Sequence, residues 1–225
     1  MQRTQIVIPG NPGVVLARVA PVLAEWLGAD GFVLGGGTVL AARWKHRVST
    51  DIDLFTGIER YQQAIASQRD VVAASLRSLV GNAGEGAVEV ERGWLRVLFA
   101  EAPAALMTIP RPTIQDPYAE SVHGMEVRTE STAEILARKV QSRILDLGAF
   151  TARDLYDILI ARERDPEAIG RVLASITDQE RAAIASELRG LPRDWTGAEP
   201  VREPARPELL RDLPHRARAL FEAPL

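Results

Sequence analysis

The chain has 225 residues, of which 46% are hydrophobic and 25% charged, with a formal net charge of -3; this is the arithmetic of one large or two small globular domains. No apolar run reaches the roughly 18 to 20 residues needed to cross a bilayer, and Met1 to Pro9 is too polar for a secretory core, so a soluble cytoplasmic protein is expected. The absence of cysteine excludes disulfides, thiolate zinc sites and cysteine nucleophiles, and His46, His123 and His215 show no ligand spacing, so any metal must be held by oxygen.

Apolar residues at Val15, Leu16, Val19, Val22, Leu23 and Trp26 recur at helical spacing and predict a first helix over Val14 to Leu27, entered through Pro12 and Gly13 and stopped by Gly28. Gly31 to Leu34 reads as a short strand, after which Gly35, Gly36 and Gly37 break into a second helix over Thr38 to Trp44. Ser49 to Phe55 alternates, with Ile52 and Leu54 on one face and Asp51 and Asp53 on the other, as a strand does. A long helix is expected over Ile58 to Val80 and a turn over Gly81 to Gly86. Strands follow at Val88 to Val90, Trp94 to Phe99 and Ala105 to Ile109, with an edge strand at Met125 to Val127.

Beyond Ser131 the periodicity is helical throughout, over Thr132 to Asp146, Ala152 to Arg164, Glu167 to Ser175 and Asp178 to Leu188. The first of these opens on Ser131, Thr132 and Glu134, an N-cap signal. Prolines at 192, 200, 204, 207, 214 and 224 predict an extended tail with one terminal helix around Pro207 to Phe221. The expected class is α+β, with an α/β domain over 1–125, a helical domain over 126–190 and a Pro-rich tail over 191–225.

The chemistry concentrates in FVLGGGTVLAARWKHRVSTDIDLF, residues 32–55. Glycines between a strand and a helix expose backbone N–H groups that a phosphate can approach closely, although such a cluster is more often plain turn chemistry. Asp51 and Asp53, two apart on a strand, send both carboxylates from one face, roughly 7 Å apart by Cα spacing. Such a pair repels unless a cation lies between, and Mg²⁺ with nucleotide phosphates suits it. Arg43, Trp44, Lys45, His46 and Arg47 stand between glycines and aspartates with no acid among them, an expected concentration of positive potential. Of 27 basic residues only Lys45 and Lys139 are lysine, which marks both as candidates for places that need a point charge.

This combination resembles the nucleotidyltransferases of the DNA polymerase β superfamily, and more closely the AbiEii/AbiGii branch of toxin–antitoxin and phage-defence toxins. Gly36, Gly37, Thr38, Arg47, Ser49, Asp51 and Asp53 match its first signature. Lys139 in ARKVQSRI and Arg153, Asp154 and Asp157 in ARDLYDIL match its second, so the likeness spans roughly residues 14–165. It implies a polymerase β-like domain, a small mixed sheet with helices, followed by a helical bundle.

The resemblance also implies a site. Asp51 and Asp53 would hold Mg²⁺ or Mn²⁺; Gly36, Gly37, Thr38, Arg47, Ser49 and Lys139 would bind a nucleoside triphosphate; Asp154 or Asp157 would complete the cleft as a catalytic group. Helical spacing alone equally allows a salt bridge of Lys139 or Arg143 with Asp154 or Asp157. The implied activity transfers a nucleotide from an NTP to an RNA such as tRNA or to a protein hydroxyl, with an antitoxin protein as partner and no membrane. The superfamily's third carboxylate is missing from ALMTIP, residues 105–110, where Met107 or Thr108 takes the expected place; Glu89, Glu91 and Glu101 are substitutes in another register. A protein of this fold that binds nucleotide or a partner without turnover is the second expectation.

Overall fold

A computed structural model describes residues 5–81, 87–109, 114–192, 194–195, 197 and 199–223. The chain divides into two compact units. One comprises Met1–Arg43, Ser49–Pro112 and Pro117–Glu130; the other comprises Trp44–Val48, Thr113–Asp116 and Ser131–Leu225. The partition is therefore not linear in sequence, because Trp44–Val48, five residues that end the glycine-rich helix and follow it, belong with the helical unit.

The first unit is built on an eight-stranded mixed sheet. Its strands are β1 (Gln5–Ile6), β2 (Val33–Gly35), β3 (Ile52–Thr56), β4 (Val88–Val90), β5 (Trp94–Leu98), β6 (Pro103–Thr108), β7 (Tyr118–Val122) and β8 (Met125–Thr129), in the order β1-β7-β8-β2-β3-β6-β5-β4. Ile52, Leu54, Leu95, Leu106 and Val97 alternate onto one face and are buried. Helices α1 (Asn11–Leu27), α3 (Ile58–Ala64) and α4 (Arg69–Val80) supply Leu16, Leu23, Tyr61 and Leu76 to the same core. Each such side chain contributes about 1.5–3 kcal/mol by leaving water.

Several expected elements change in detail. Helix α1 starts three residues early, because Pro12 is tolerated in a first turn, where its missing N–H has no partner to lose. The long helix over 58–80 breaks at Ile65 into a short 3₁₀ turn, Ala66–Gln68, before α4 resumes; the Ser67 hydroxyl donates to the Gln63 carbonyl at 2.6 Å. The turn expected over Gly81 to Gly86 lies mostly outside the described residues. Met125–Thr129 is no edge strand: β7, which sequence reading missed, pairs with it through a hairpin whose His123 and Gly124 both have positive φ, and β8 thereby lies between β7 and β2.

The second unit is helical. Helix α5 (Thr132–Ala137) is capped by the Ser131 hydroxyl and continues without interruption into a π-helical segment, Arg138–Asp146. Helices α6 (Ala152–Arg164), α7 (Pro166–Ala174) and α8 (Asp178–Gly190) follow, each with a side-chain N-cap, Thr151, Asp165 and Thr177 respectively. The tail packs back through α9 (Leu213–Glu222) against α6 and α8, burying Leu213, Leu220 and Phe221. Trp195, Val201, Leu210 and Leu213 line a largely apolar cavity of about 480 Å³ in this unit.

Candidate active site

In the sheet unit the glycine turn and the aspartates meet. Gly35 ends β2 directly opposite Asp53 on β3, and helix α2 (Gly36–Trp44) starts at the next residue. Gly36 has φ +68°, and a Cβ there would stand 2.2 Å from Asp53 Oδ2; one on Gly35 would stand 2.1 Å from Glu130 Oε2. Gly36 is thus favoured as glycine by its dihedral angle and by the Asp53 carboxylate against it, and a side chain on Gly35 would have to displace Glu130 and Phe55. The Gly36 N–H points to Glu130 Oε2 at 3.4 Å.

Hydroxyls fasten the turn to the aspartate strand. Thr38 Oγ1 donates to the Asp51 carbonyl at 2.6 Å and lies 2.5 Å from Ser49 Oγ, which is 3.2 Å from Asp51 Oδ1. Thr38 and Ser49 are buried, whereas Asp51 and Asp53 are half-buried, so the fixed groups lie behind and the carboxylates retain an opening. Hard oxygen donors of this kind fit a magnesium-like ion that keeps water or phosphate oxygens as further ligands. Among the described residues no three His, Cys, Asp or Glu side chains form a metal cage.

The register of β6 settles what faces the pair. Ala105 lies opposite Asp53, while Met107 faces Phe55 and Thr108 faces Thr56, two and three places further along. Met107 and Thr108 are thus not the residues directly opposite Asp53. Glu89 pairs with Arg96 at the far side of the sheet and Glu101 with Arg18. The acid that sequence reading missed is Glu130, 1% exposed, carried to Gly35 because β8 runs parallel beside β2. No local signal announces it, since its neighbour lies 94 residues away.

The helical unit assembles the second motif. Asp154 and Asp157 lie on the first turns of α6, where the positive end of the helix favours carboxylates. Lys139 Nζ is 2.5 Å from Asp154 Oδ1 and 3.1 Å from Asp157 Oδ2, and Arg143 Nη1 is 3.2 Å from Asp154 Oδ2. Asp157 Oδ1 accepts from Arg47 Nε at 2.6 Å and lies 2.7 Å from His46 Nε2, while its Oδ2 accepts from Arg47 Nη2 at 2.8 Å. Burial pushes the Asp157 carboxyl up, but Arg47 and then Lys139 overcome it and hold the group well below the usual carboxylate range; Asp154 is likewise raised by burial and brought below its ordinary value by Lys139 and Arg143. The salt bridge that helical spacing allowed is thus present, and Lys139 makes it with both aspartates. Arg153 turns instead to Glu199 at 2.9 Å.

The loop expected to present positive potential turns most of its charge inward. Arg43 reaches Glu120, Thr129 and the Glu130 carbonyl, and Arg47 and His46 reach Asp157; Lys45, with φ 52°, is exposed. The profile of the "Nucleotidyl transferase AbiEii toxin, Type IV TA system" family matches residues 23–222.

The chain belongs to the AbiEii family of nucleotidyltransferase toxins.

Among solved structures, this AbiEii-family chain is similar to a Helicobacter pylori protein assigned to the nucleotidyltransferases, at 14% identity and a TM-score of 0.48 over 93% of this chain and 95% of that one. It is similar to JHP933 from Helicobacter pylori at 13% identity and a TM-score of 0.47, over 93% and 92% of the two chains. The CdnE cyclic dinucleotide synthase of Elizabethkingia meningoseptica, solved with GTP and Apcpp, gives 11% identity and a TM-score of 0.36 over 98% and 93%. A search of curated proteins finds no match. No helix of the described residues is long and apolar enough to cross a membrane.

Proposed function

We propose that this chain is the toxin of a toxin–antitoxin pair and transfers a nucleotide from a nucleoside triphosphate to a hydroxyl of an RNA such as tRNA, its antitoxin being a separate protein. In the step, the acceptor oxygen bonds to the α-phosphorus, the bond from that phosphorus to the β-phosphate oxygen breaks, pyrophosphate leaves, and the acceptor proton passes to solvent or a nearby base. The observation that carries this reading is the contact of the Asp53 carboxylate with the Gly36 backbone at the start of a helix. A metal-seeking acid and phosphate-seeking amides then share one place.

Asp51 and Asp53 would hold Mg²⁺ or Mn²⁺, which when bound supplies Lewis-acid stabilisation of charge on the phosphoryl oxygens. Thr38 and Ser49 keep the strand and turn in register, and Gly36, Gly37 and Thr38 would line the triphosphate site, the backbone N–H groups of Gly37 and Thr38 serving as donors because that of Gly36 already points to Glu130. Lys139 would face phosphate oxygens. Asp154 and Asp157, ionised and spoken for by cations, are weak bases, and their role in this reading is to hold that lysine.

Purified protein incubated with each labelled NTP, Mg²⁺ and total RNA should label RNA, and Asp53→Asn should abolish the label. Label in a protein would move the acceptor from RNA to a protein hydroxyl. No transfer to RNA or protein with any NTP would refute the reading. Ala105 opposite Asp53 favours one alternative, a nucleotide-binding protein without turnover. That alternative requires nucleotide binding, without transfer, that survives Asp51→Asn.

A further inference from the structure

We propose that Arg47 and His46 are positioning residues for Lys139, acting through Asp157. The proposal rests on reading Lys139 as a phosphate-facing cation. An ammonium has three N–H donors; that of Lys139 meets Asp154 Oδ1 at 2.5 Å and Asp157 Oδ2 at 3.1 Å, which leaves one to offer. Lys139 is 5% exposed, so its direction decides whether a ligand can reach it.

Asp157 is entirely buried, and an uncompensated carboxylate there would draw the nearest cation onto itself. Arg47 prevents this. Its planar fork takes both carboxylate oxygens, at 2.6 and 2.8 Å, in the bidentate geometry a lysine cannot reproduce. Lys139 therefore approaches an acid already satisfied, at the longest of the distances to it.

His46 completes the arrangement from the other side, 2.7 Å from Oδ1. Its ring stacks on Tyr156 at 5.7 Å between centroids and meets the edge of Trp44 at 5.4 Å. Its carbonyl accepts from the Ala205 N–H at 2.8 Å and the Tyr156 hydroxyl at 3.2 Å. With Nε2–H as donor to Asp157, Nδ1 meets no donor among the described residues. The ring is clamped by its neighbours and spends its one polar contact on this carboxylate.

The same pairs tie the cluster together: Arg143 reaches both Asp154 and Glu199, and Arg153 reaches Glu199. Lys139 also rises from a π-helical segment, a rare geometry that favours functional sites.

The chain's two lysines make the test direct. Protein labelled with ¹⁵N at lysine Nζ gives two side-chain signals, buried Lys139 and exposed Lys45. Arg47→Met should move the Lys139 signal and leave Lys45 in place, and His46→Asn should move it less. A non-hydrolysable NTP analogue should bind Arg47→Met about tenfold more weakly than the parent, the scale of one charge-assisted hydrogen bond. That loss should largely vanish in a Lys139→Met background, because two groups acting through one contact are not additive. Where Arg47→Met does not fold, His46→Asn carries the same two measurements. An unchanged Lys139 signal in folded variants, or losses that simply add, would overturn the proposal. A parent that binds no nucleotide would sink the functional reading, while the lysine signals still decide the coupling.

Discussion

The aspartates of the sheet and those of the helical unit are the same residue type in opposite circumstances. Asp51 and Asp53 are half-buried on a strand beside backbone amides, whereas Asp154 and Asp157 are fully buried and gripped by Lys139, Arg47 and Arg143. In the proposed reading the first pair would hold a metal ion, whereas the second is held by cations of the chain itself. Neutralising a residue of the first pair should cost turnover and spare the fold, and neutralising one of the second should do the reverse in the first instance.

The sharpest break in that contrast is Asp53→Asn, which should lower nucleotide transfer by on the order of a thousandfold, since a metal-bound charge is worth several kcal/mol in the transition state. The melting temperature should change little; kinetics beside a thermal melt decides it. Asp157→Asn should instead destabilise by about 3–5 kcal/mol, because it leaves buried cations uncompensated. For a chain of this length that lowers Tm by roughly 6–20 °C, and a melt unchanged from the parent would contradict the description of the helical unit.

Thr38→Val tests the seam between turn and strand. It removes the hydroxyl that meets Ser49 and the Asp51 carbonyl, and should cost about 1–3 kcal/mol by leaving buried partners unpaired, measured by urea unfolding. Mild acid should have the smallest effect. Asp154 and Asp157 titrate below their ordinary values when folded, so the stability they supply is complete above about pH 4, where unfolded aspartates ionise, and drains as pH falls through the lower folded values. Circular dichroism should therefore follow a flat plateau from pH 8 to about pH 5. Loss of the network within that range would show that its carboxylates are not held as described.

What was legible in the sequence was what lies close along the chain. Gly35 to Asp53 is one strand–helix–strand passage, and Asp154 and Asp157 are neighbours on one helix, so spacing brought these together, while the family resemblance joined Lys139 to them. What escaped depended on strand order and distant partners. Glu130 reaches the glycine turn only because β8 runs beside β2, and the short β1 and β7 carry no periodicity strong enough to announce them. The basic loop at 43–47 was misread because its neutralising acids, Glu120 and Asp157, come 77 and 110 residues later. The missing third acid could not be judged without the β3–β6 register, which places Ala105 rather than Met107 or Thr108 opposite Asp53.

The membership of Trp44–Val48 in the helical unit bears on how the gene can be divided. A fragment starting at Ser131 would carry Asp157 into its core without the guanidinium and imidazole that satisfy it, and would be left with a stranded anion. Neither half can be shuffled onto a new neighbour as a cassette, and activity from separately expressed fragments would demand that one of them thread its segment back into the other.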